Sequence, residues 1–365
     1  MYIWERPEWP NFRWDDAVLI APLAAAHHKQ GRLLGRMEGL GFDLKLRAQV
    51  ETLTEDVIKS SEIEGEVLDR DSVRSSVARR LGVPEAALTP SDRKTEGVVE
   101  MMLDTTQRFD QPLTAERLCG WQAALFPTGF SGTRLIRVGE WRDDADGPMQ
   151  VVSGAYGRER VHYEAPPAKQ VDDEIRRFAE WFATGAPQNL LRAGLAHLWF
   201  VTIHPFEDGN GRVARAIADQ ALAQLEKSPQ RFYSLSSQIR KERKAYYDTL
   251  EATQKGSLDV TPWLSWFLDC FSRAVDGADE ICTQVLRKAD FWRKHTGVSF
   301  SERQRLMLNR YLDGFEGKLT TKKWATITKC AVPTAQRDIN NLLERGVLRT
   351  NPGGSKNTSY DVVMD

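Results

Sequence analysis

Within residues 204–215 a histidine, a carboxylate and two arginines surround a glycine-rich turn, in the string HPFEDGNGRVAR. Each residue type brings separable chemistry. The His204 imidazole titrates near neutrality and can take a proton from an attacking hydroxyl. Asp208 offers hard oxygen ligands of the kind magnesium takes beside phosphates. Gly209 and Gly211 let the backbone come close to an anion. Arg212 and Arg215 are three apart, so on a helix both lean toward the same end. If that helix starts at the turn, its free N–H groups and partial positive charge suit phosphate.

The flanking segments supply that geometry. An apolar helix is expected over Leu190–Val201, running into His204-Pro205-Phe206, and a second helix opens near Arg212. Taken singly the parts say little, because a His before Pro is usually structural and a Gly-Asn-Gly helix cap is common. Gly209-x-Gly211-x-x-Ala214 also fits the loose dinucleotide fingerprint, but that fingerprint needs a preceding strand and here a helix precedes it. No Walker loop ending GK[ST] occurs.

The contiguous string is more specific than its parts. It resembles the Fic family pattern HxFx(D/E)GNGRxxR at every defined position. The resemblance implies transfer of AMP from ATP to a protein Ser, Thr or Tyr hydroxyl, with magnesium. It implies His204 as base, Phe206 as the loop's anchor in the core and Asp208 as the magnesium ligand. Gly209, Asn210 and Gly211 would form the anion hole, with Arg212 on the β-phosphate side and Arg215 on the γ-phosphate. Some relatives carry Lys where Gly211 stands and phosphorylate instead, so Gly211 favours AMP transfer.

Upstream, Ser60-Ser61-Glu62-Ile63-Glu64-Gly65 resembles the family's inhibitory pattern (S/T)xxxE(G/N), through Ser60, Glu64 and Gly65. Its plain reading is a helix end, with Gly65 as the C-terminal stop. The implied physics is an ion pair between Glu64 and Arg215 that puts a carboxylate where the γ-phosphate belongs. The stretch Met149–Glu164, with glycines at 154 and 157, reads as a hairpin. It stands where the family places a flap that docks target backbone, here Val151, Val152, Ser153 and Gly154. Tyr247 and Gln254 resemble the segment bordering the adenine pocket. The opening YIWERPEWPNFRWD resembles an N-terminal domain often joined to such modules.

The bulk numbers narrow the classes. The chain has 365 residues, 41% hydrophobic and 28% charged, with a net charge of −1. That is an ordinary globular mix, long enough for two or three domains and not, as a whole, an electrostatic nucleic-acid or membrane binder. Cys119, Cys270, Cys282 and Cys330 are scattered without a CxxC pair, which argues against zinc and disulfides and suits a cytoplasmic location. No signal peptide and no transmembrane run is evident.

A mainly α-helical protein is expected: a helical N-terminal domain bearing the inhibitory motif over 1–90, a Fic core with a hairpin flap over 91–280, a linker helix over 281–299, and a winged helix-turn-helix over 300–365. Helix is expected from Asp15 to about Val77, including a bundle helix over Trp14–Leu46. Others are expected over Lys94–Arg108 with Ser91 as cap, Thr114–Leu125, Asp172–Ala183, Arg243–Thr253 and Trp263–Ala274. In the tail, three short helices precede a two-stranded wing turning at 351–354. Eleven basic against seven acidic residues give 301–365 a net charge of +4. Gln336, Arg337 and Asn340 could face a major groove, but dimer formation or target capture fits equally. Rival functions are removal of AMP from a modified protein and a nucleotide-sensing DNA-binding regulator.

Overall fold

The computed structural model describes residues 1–83, 89–154, 158–315, 317–352 and 358–364. Pro84, Gly157 and the glycines at 353 and 354, which the sequence reading places at breaks and turns, lie outside them. The chain divides into two compact units, Met1–Asp279 and Glu280–Asp365. Among the described residues no helix is long and apolar enough to cross a membrane.

The first unit is mainly helical. An aromatic arm leads into α1 (Asp16–Glu38), α2 (Phe42–Ile63), α3 (Arg70–Arg80), α4 (Arg93–Gln107) and α5 (Ala115–Leu125). Two small antiparallel hairpins follow, β1 (Phe130–Ser131) with β2 (Arg134–Leu135), and β3 (Gln150–Ser153) with β4 (Arg160–Glu164). Then come α6 (Val171–Thr184), α7 (Leu191–Ile203), α8 (Asn210–Glu226), α9 (Leu235–Lys241), α10 (Arg243–Gln254) and α11 (Thr261–Lys294), whose later residues belong to the second unit. The second unit holds α12 (Glu302–Leu312), α13 (Thr321–Ile327), α14 (Val332–Glu344) and the hairpin β5 (Leu348–Thr350) with β6 (Tyr360–Val362).

Helix α7 is the axis of the first unit. Its residues are apolar on all sides and buried except Arg192, so the chain must wrap it completely. Helix α8 packs along it, with α2, α4 and α5 against α8. The α4–α5 approach depends on Gly97, where an added Cβ would come within 1.8 Å of the Ala124 carbonyl oxygen. The aromatic arm is pinned to this core: Trp4 Nε1 donates to the Glu164 carbonyl (2.8 Å) and Trp9 Nε1 to Glu174 (2.9 Å).

Several local expectations change. The long helix expected over Trp14–Leu46 ends at Glu38, where Gly39, Leu40 and Gly41 interrupt it. The cap of α4 is Asp92, whose carboxylate accepts from the Thr95 N–H at 2.7 Å; Ser91 instead bonds Glu96. The α8 helix begins at Asn210, earlier than expected, because Gly209 takes the left-handed conformation (φ 92°) as its N-cap. The β1–β2 hairpin and α9 were not anticipated; both are too short to leave a periodic pattern.

The second unit has its own core, built from Trp324, Ile339, Leu342, Val347 and Tyr360 among others. A bridge from Leu319 to Tyr360 adds a short third element beside the β5–β6 hairpin.

Candidate active site

The turn between α7 and α8 is held from inside. The Asn210 side chain accepts from the Phe206 N–H at 3.0 Å and donates to the Phe206 carbonyl at 2.7 Å, closing a small ring. Phe206 is fully buried beneath Trp141, at a centroid distance of 5.0 Å. Arg142 fastens the same turn from outside: its Nε donates to the His204 carbonyl (2.8 Å), its Nη2 to that of Pro166 (2.5 Å), and its own N–H to that of Pro205 (2.9 Å). His204 stops α7 in the left-handed region (φ 52°), which turns its ring away from the helix axis.

The ring's Nδ1–H donates to the Val201 carbonyl at 3.1 Å, which leaves Nε2 as the unprotonated nitrogen. Burial pushes the His204 pKa down to about 4, and the neighbouring Arg142 adds to the shift; the Val201 carbonyl, Asp208 and Glu64 oppose it. The imidazole is therefore neutral near pH 7, with one lone pair to accept a proton.

No side chain caps the N-terminus of α8, so its first-turn N–H groups stay available to an anion. Both arginines of the first two turns are buried, Arg212 and Arg215 each about 1% exposed. Arg212 Nε and Arg215 Nη1 are buried donors without a hydrogen-bond partner among the described residues. Arg215 Nη1 lies 3.2 Å from where a Cβ on Gly211 would stand, so the orphan donor and the bare glycine backbone face one space. A buried guanidinium with an open donor calls for an anion.

Carboxylates from the end of α2 engage other donors of the same two guanidiniums and leave those two nitrogens open. Gly65 (φ 84°) ends the helix in a Schellman turn, with the Glu66 N–H donating to the Ser61 carbonyl at 3.0 Å. This turn aims two acids at α8. Glu64 Oε1 accepts from Arg215 Nη2 at 2.8 Å, and Glu66 Oε2 accepts from Arg212 Nη1 at 2.7 Å. Arg215 also donates from Nε to the Ser60 hydroxyl (3.0 Å) and from Nη2 to the Ser60 carbonyl (2.8 Å). Burial works against the Arg215 charge, but Glu64, Tyr246 and Tyr247 outweigh it and its pKa is raised. The Glu64 carboxylate lies 2.3 Å from a Cβ built on Gly211, so it occupies the space above the glycine turn.

Asp208 sits half-buried at the mouth of the turn. Its Oδ1 accepts from the Gly209 N–H at 2.5 Å, and its Oδ2 from the Ser131 hydroxyl on β1. Among the described residues no cluster of three or more His, Cys, Asp or Glu could hold a metal ion. A single carboxylate fits an ion whose remaining ligands are phosphates and water, as magnesium prefers.

The other expected residues fall nearby. Tyr247 is half-buried under Arg243 (5.0 Å to the ring centroid); burial raises its hydroxyl pKa, Glu64 adds to this and Arg215 counters it, which puts the phenol in the field of the acid–arginine pair. Gln254 is buried and donates to Thr202 Oγ1 at 3.4 Å, beneath α7. Val151, Val152, Ser153 and Gly154 lie on the β3 arm of the hairpin, with a register irregularity between Val151 and Val152. Val152 is 48% exposed, and its β4 partner Val161 37%. The hairpin is tied to α10, since Glu251 takes Arg160 at 2.9 Å and His162 at 2.6 Å.

Four residues of this arrangement escaped the sequence reading: Glu66, Ser131, Arg142 and Glu251. Only Glu66 carried a usable signal, being a second acid just past the glycine that ends α2. The rest reach the site from distant segments.

Comparison with known proteins agrees with the geometry. Residues 112–222 match the family model described as Fic/DOC family, and residues 2–83 match a domain of unknown function, DUF4172. The chain thus carries a region similar to the Fic/DOC family, preceded by a region similar to DUF4172. Among curated relatives, "Protein adenylyltransferase Fic" of Culex quinquefasciatus is 32% identical over 107 residues, 28% of this chain and 19% of the relative. The protein of the same name from Nematostella vectensis is 31% identical over 122 residues, 32% of this chain and 26% of the relative. A "Uridine 5'-monophosphate transferase" of Xanthomonas campestris pv. campestris (strain 8004) is 28% identical over 124 residues, 30% of this chain and 21% of the relative. The matches thus span about a quarter or less of those proteins.

Among solved structures, a Fic family protein from Desulfovibrio desulfuricans G20 aligns over 97% of this chain and 98% of its own, at TM-score 0.54 and 19% identity. A Fic domain containing signaling protein from Bacteroides thetaiotaomicron VPI-5482 aligns over 71% and 97%, at TM-score 0.51 and 18% identity. Both likenesses are of fold.

Proposed function

We propose that this chain transfers AMP from Mg·ATP to a protein hydroxyl, and that Glu64 restrains it. The observation that carries this reading is the pair of buried, partnerless arginine donors at the start of α8, beside an imidazole held neutral with Nε2 open. A nucleoside triphosphate supplies what those donors lack.

In the proposed reaction the hydroxyl oxygen of the target attacks the α-phosphorus while His204 Nε2 takes its proton. A new P–O bond forms, the bond to the bridging oxygen of pyrophosphate breaks, and pyrophosphate leaves. The first-turn N–H groups of α8, at Asn210, Gly211 and Arg212, are placed to stabilise charge on the α-phosphate oxygens. Arg212 and Arg215 bind the β- and γ-phosphates. Magnesium, which Asp208 would hold, supplies further neutralisation of the leaving group. The hairpin presents the exposed edge of Val151–Gly154 to target backbone, and Tyr247 and Gln254 border the base.

Restraint follows from the same contacts. While Glu64 holds Arg215 and fills the space over Gly211, a γ-phosphate cannot reach that guanidinium. Glu66 on Arg212 acts in the same sense on the other arginine, which makes the end of α2 a double plug.

The Xanthomonas relative supports a second reading, in which the transferred group is UMP. Label transfer separates the choices. The chain carrying Glu64→Gly is expected to become labelled by α-labelled ATP with magnesium, and not by γ-labelled ATP. Labelling from the γ-position, or preferential labelling by α-labelled UTP, contradicts AMP transfer.

A further inference from the structure

We infer that the exposed face of α13 and α14 binds the phosphate backbone of double-stranded DNA. The inference does not depend on the nucleotide reading of the first unit.

It starts from how charge is sorted in the second unit. The whole chain carries −1, but residues 318–344 hold five basic residues, Lys318, Lys322, Lys323, Lys329 and Arg337, against two acids, Asp338 and, at the far end of α14, the exposed Glu344. Asp338 is turned inward: it is 9% exposed and pairs with Arg303 of α12 at 2.9 Å. Two other acids of the unit have partners, Asp313 in Lys288 (2.6 Å) and Asp361 in Tyr311 (3.2 Å) and Asn351 (3.0 Å). Lys322, Lys329 and Arg337 are all exposed. A patch of one sign inside a nearly neutral chain attracts partners of the opposite sign.

The geometry gives that partner a shape. Gln336 ties the face together, accepting from the Thr321 hydroxyl at the start of α13 (2.9 Å) and donating to Asn340 on the next turn of α14 (2.9 Å) and to the Tyr360 hydroxyl on β6 (3.4 Å). Gln336 is thereby half-buried and spent on packing, so it does not read a groove as the sequence allowed. Arg337 and Asn340 remain on the outer stripe of α14, with Val332 and Pro333 at its open start. Two helices joined at Lys329, the second offering its N-terminal turns, with a hairpin alongside, is the arrangement in which a recognition helix enters a major groove. Lys322 and Lys329 flank it, where phosphates pass. Few side chains on this face carry base-reading groups, so the binding is chiefly to backbone, with weak sequence preference.

The test uses the full chain and a random-sequence 24-base-pair duplex, followed by fluorescence anisotropy at a series of salt concentrations. The duplex is expected to bind at low salt with affinity falling log-linearly, by roughly 0.9 per phosphate contacted. The triple variant Lys322→Ala, Lys329→Ala, Arg337→Ala is expected to lose about two to three units of that slope, since three contacts at roughly 0.9 each disappear. A control triple in the first unit, Lys169→Ala, Arg176→Ala, Lys227→Ala, is expected to leave the slope unchanged. Absence of binding at low salt, equal binding by the triple variant, or tighter binding to single strands than to the duplex overturns the inference. So does sedimentation showing that the triple variant changes self-association and not DNA binding.

Discussion

Replacing His204 by alanine is expected to lower nucleotide transfer by roughly 10²–10⁴-fold, the usual loss when a positioned general base is removed. Nucleotide binding should survive, because the arginines and the α8 N-terminus do not touch that ring; a fluorescent ATP analogue titrated onto both proteins checks this. The same reasoning fixes a pH signature. A free imidazole would lose its function as pH falls through 6.5, but His204 is held neutral down to about 4. The depressed pKa keeps the base in its accepting form, so the rate under His204 control should hold between about pH 7 and 5 and decline toward 4. A break near 6.5 in single-turnover rates, or an alanine variant of undiminished rate, would remove His204 from the chemistry.

The second large effect concerns the plug. Removing the carboxylate in Glu64→Gly frees Arg215 Nη2 and the space above Gly211 together. Self-modification is expected to rise roughly 5–150-fold, the range that a coupling of about 1–3 kcal/mol between two ligands for one site produces. Glu64→Gln keeps the size but not the charge and should rise less. Without nucleotide the Glu64→Gly chain should also unfold at lower temperature, because Arg215 then loses its carboxylate while it keeps Ser60 and remains desolvated. Adding Mg·ATP should restore the difference by mass action. Unchanged labelling with an unchanged thermal midpoint would mean that the pair is a surface feature of a helix end.

The motif was readable because its chemistry is local. Residues 204–215 hold the histidine, the carboxylate, the glycine turn and both arginines within a few turns of chain, and the Gly209 and Gly211 spacing reports the tight start of α8. The Glu64 motif was readable for a related reason: Gly65 marks the end of α2, and a helix end has a definite side-chain direction. What stayed hidden depends on contacts across long loops. Arg142 clamps the His204 and Pro205 carbonyls from a stretch with no periodicity, and nothing in its neighbours signals that it is buried. Glu251 meets the hairpin only after α10 has been placed. In the second unit the charge total of +4 looked indecisive, since a sum cannot tell that Asp338 faces the core while Lys322, Lys329 and Arg337 face water. Burial separates charges that the sequence merely counts.

In the proposed reaction the start of α8 grips a triphosphate with its α-phosphorus next to His204. The direct measurement is a crystal structure of the Glu64→Gly chain with magnesium and a non-hydrolysable ATP analogue. The γ-phosphate is expected on Arg215, the metal on Asp208, and the α-phosphorus beside His204 Nε2. Nucleotide bound away from Gly209–Arg215, or bound there with the His204 ring turned from the α-phosphate, would contradict it.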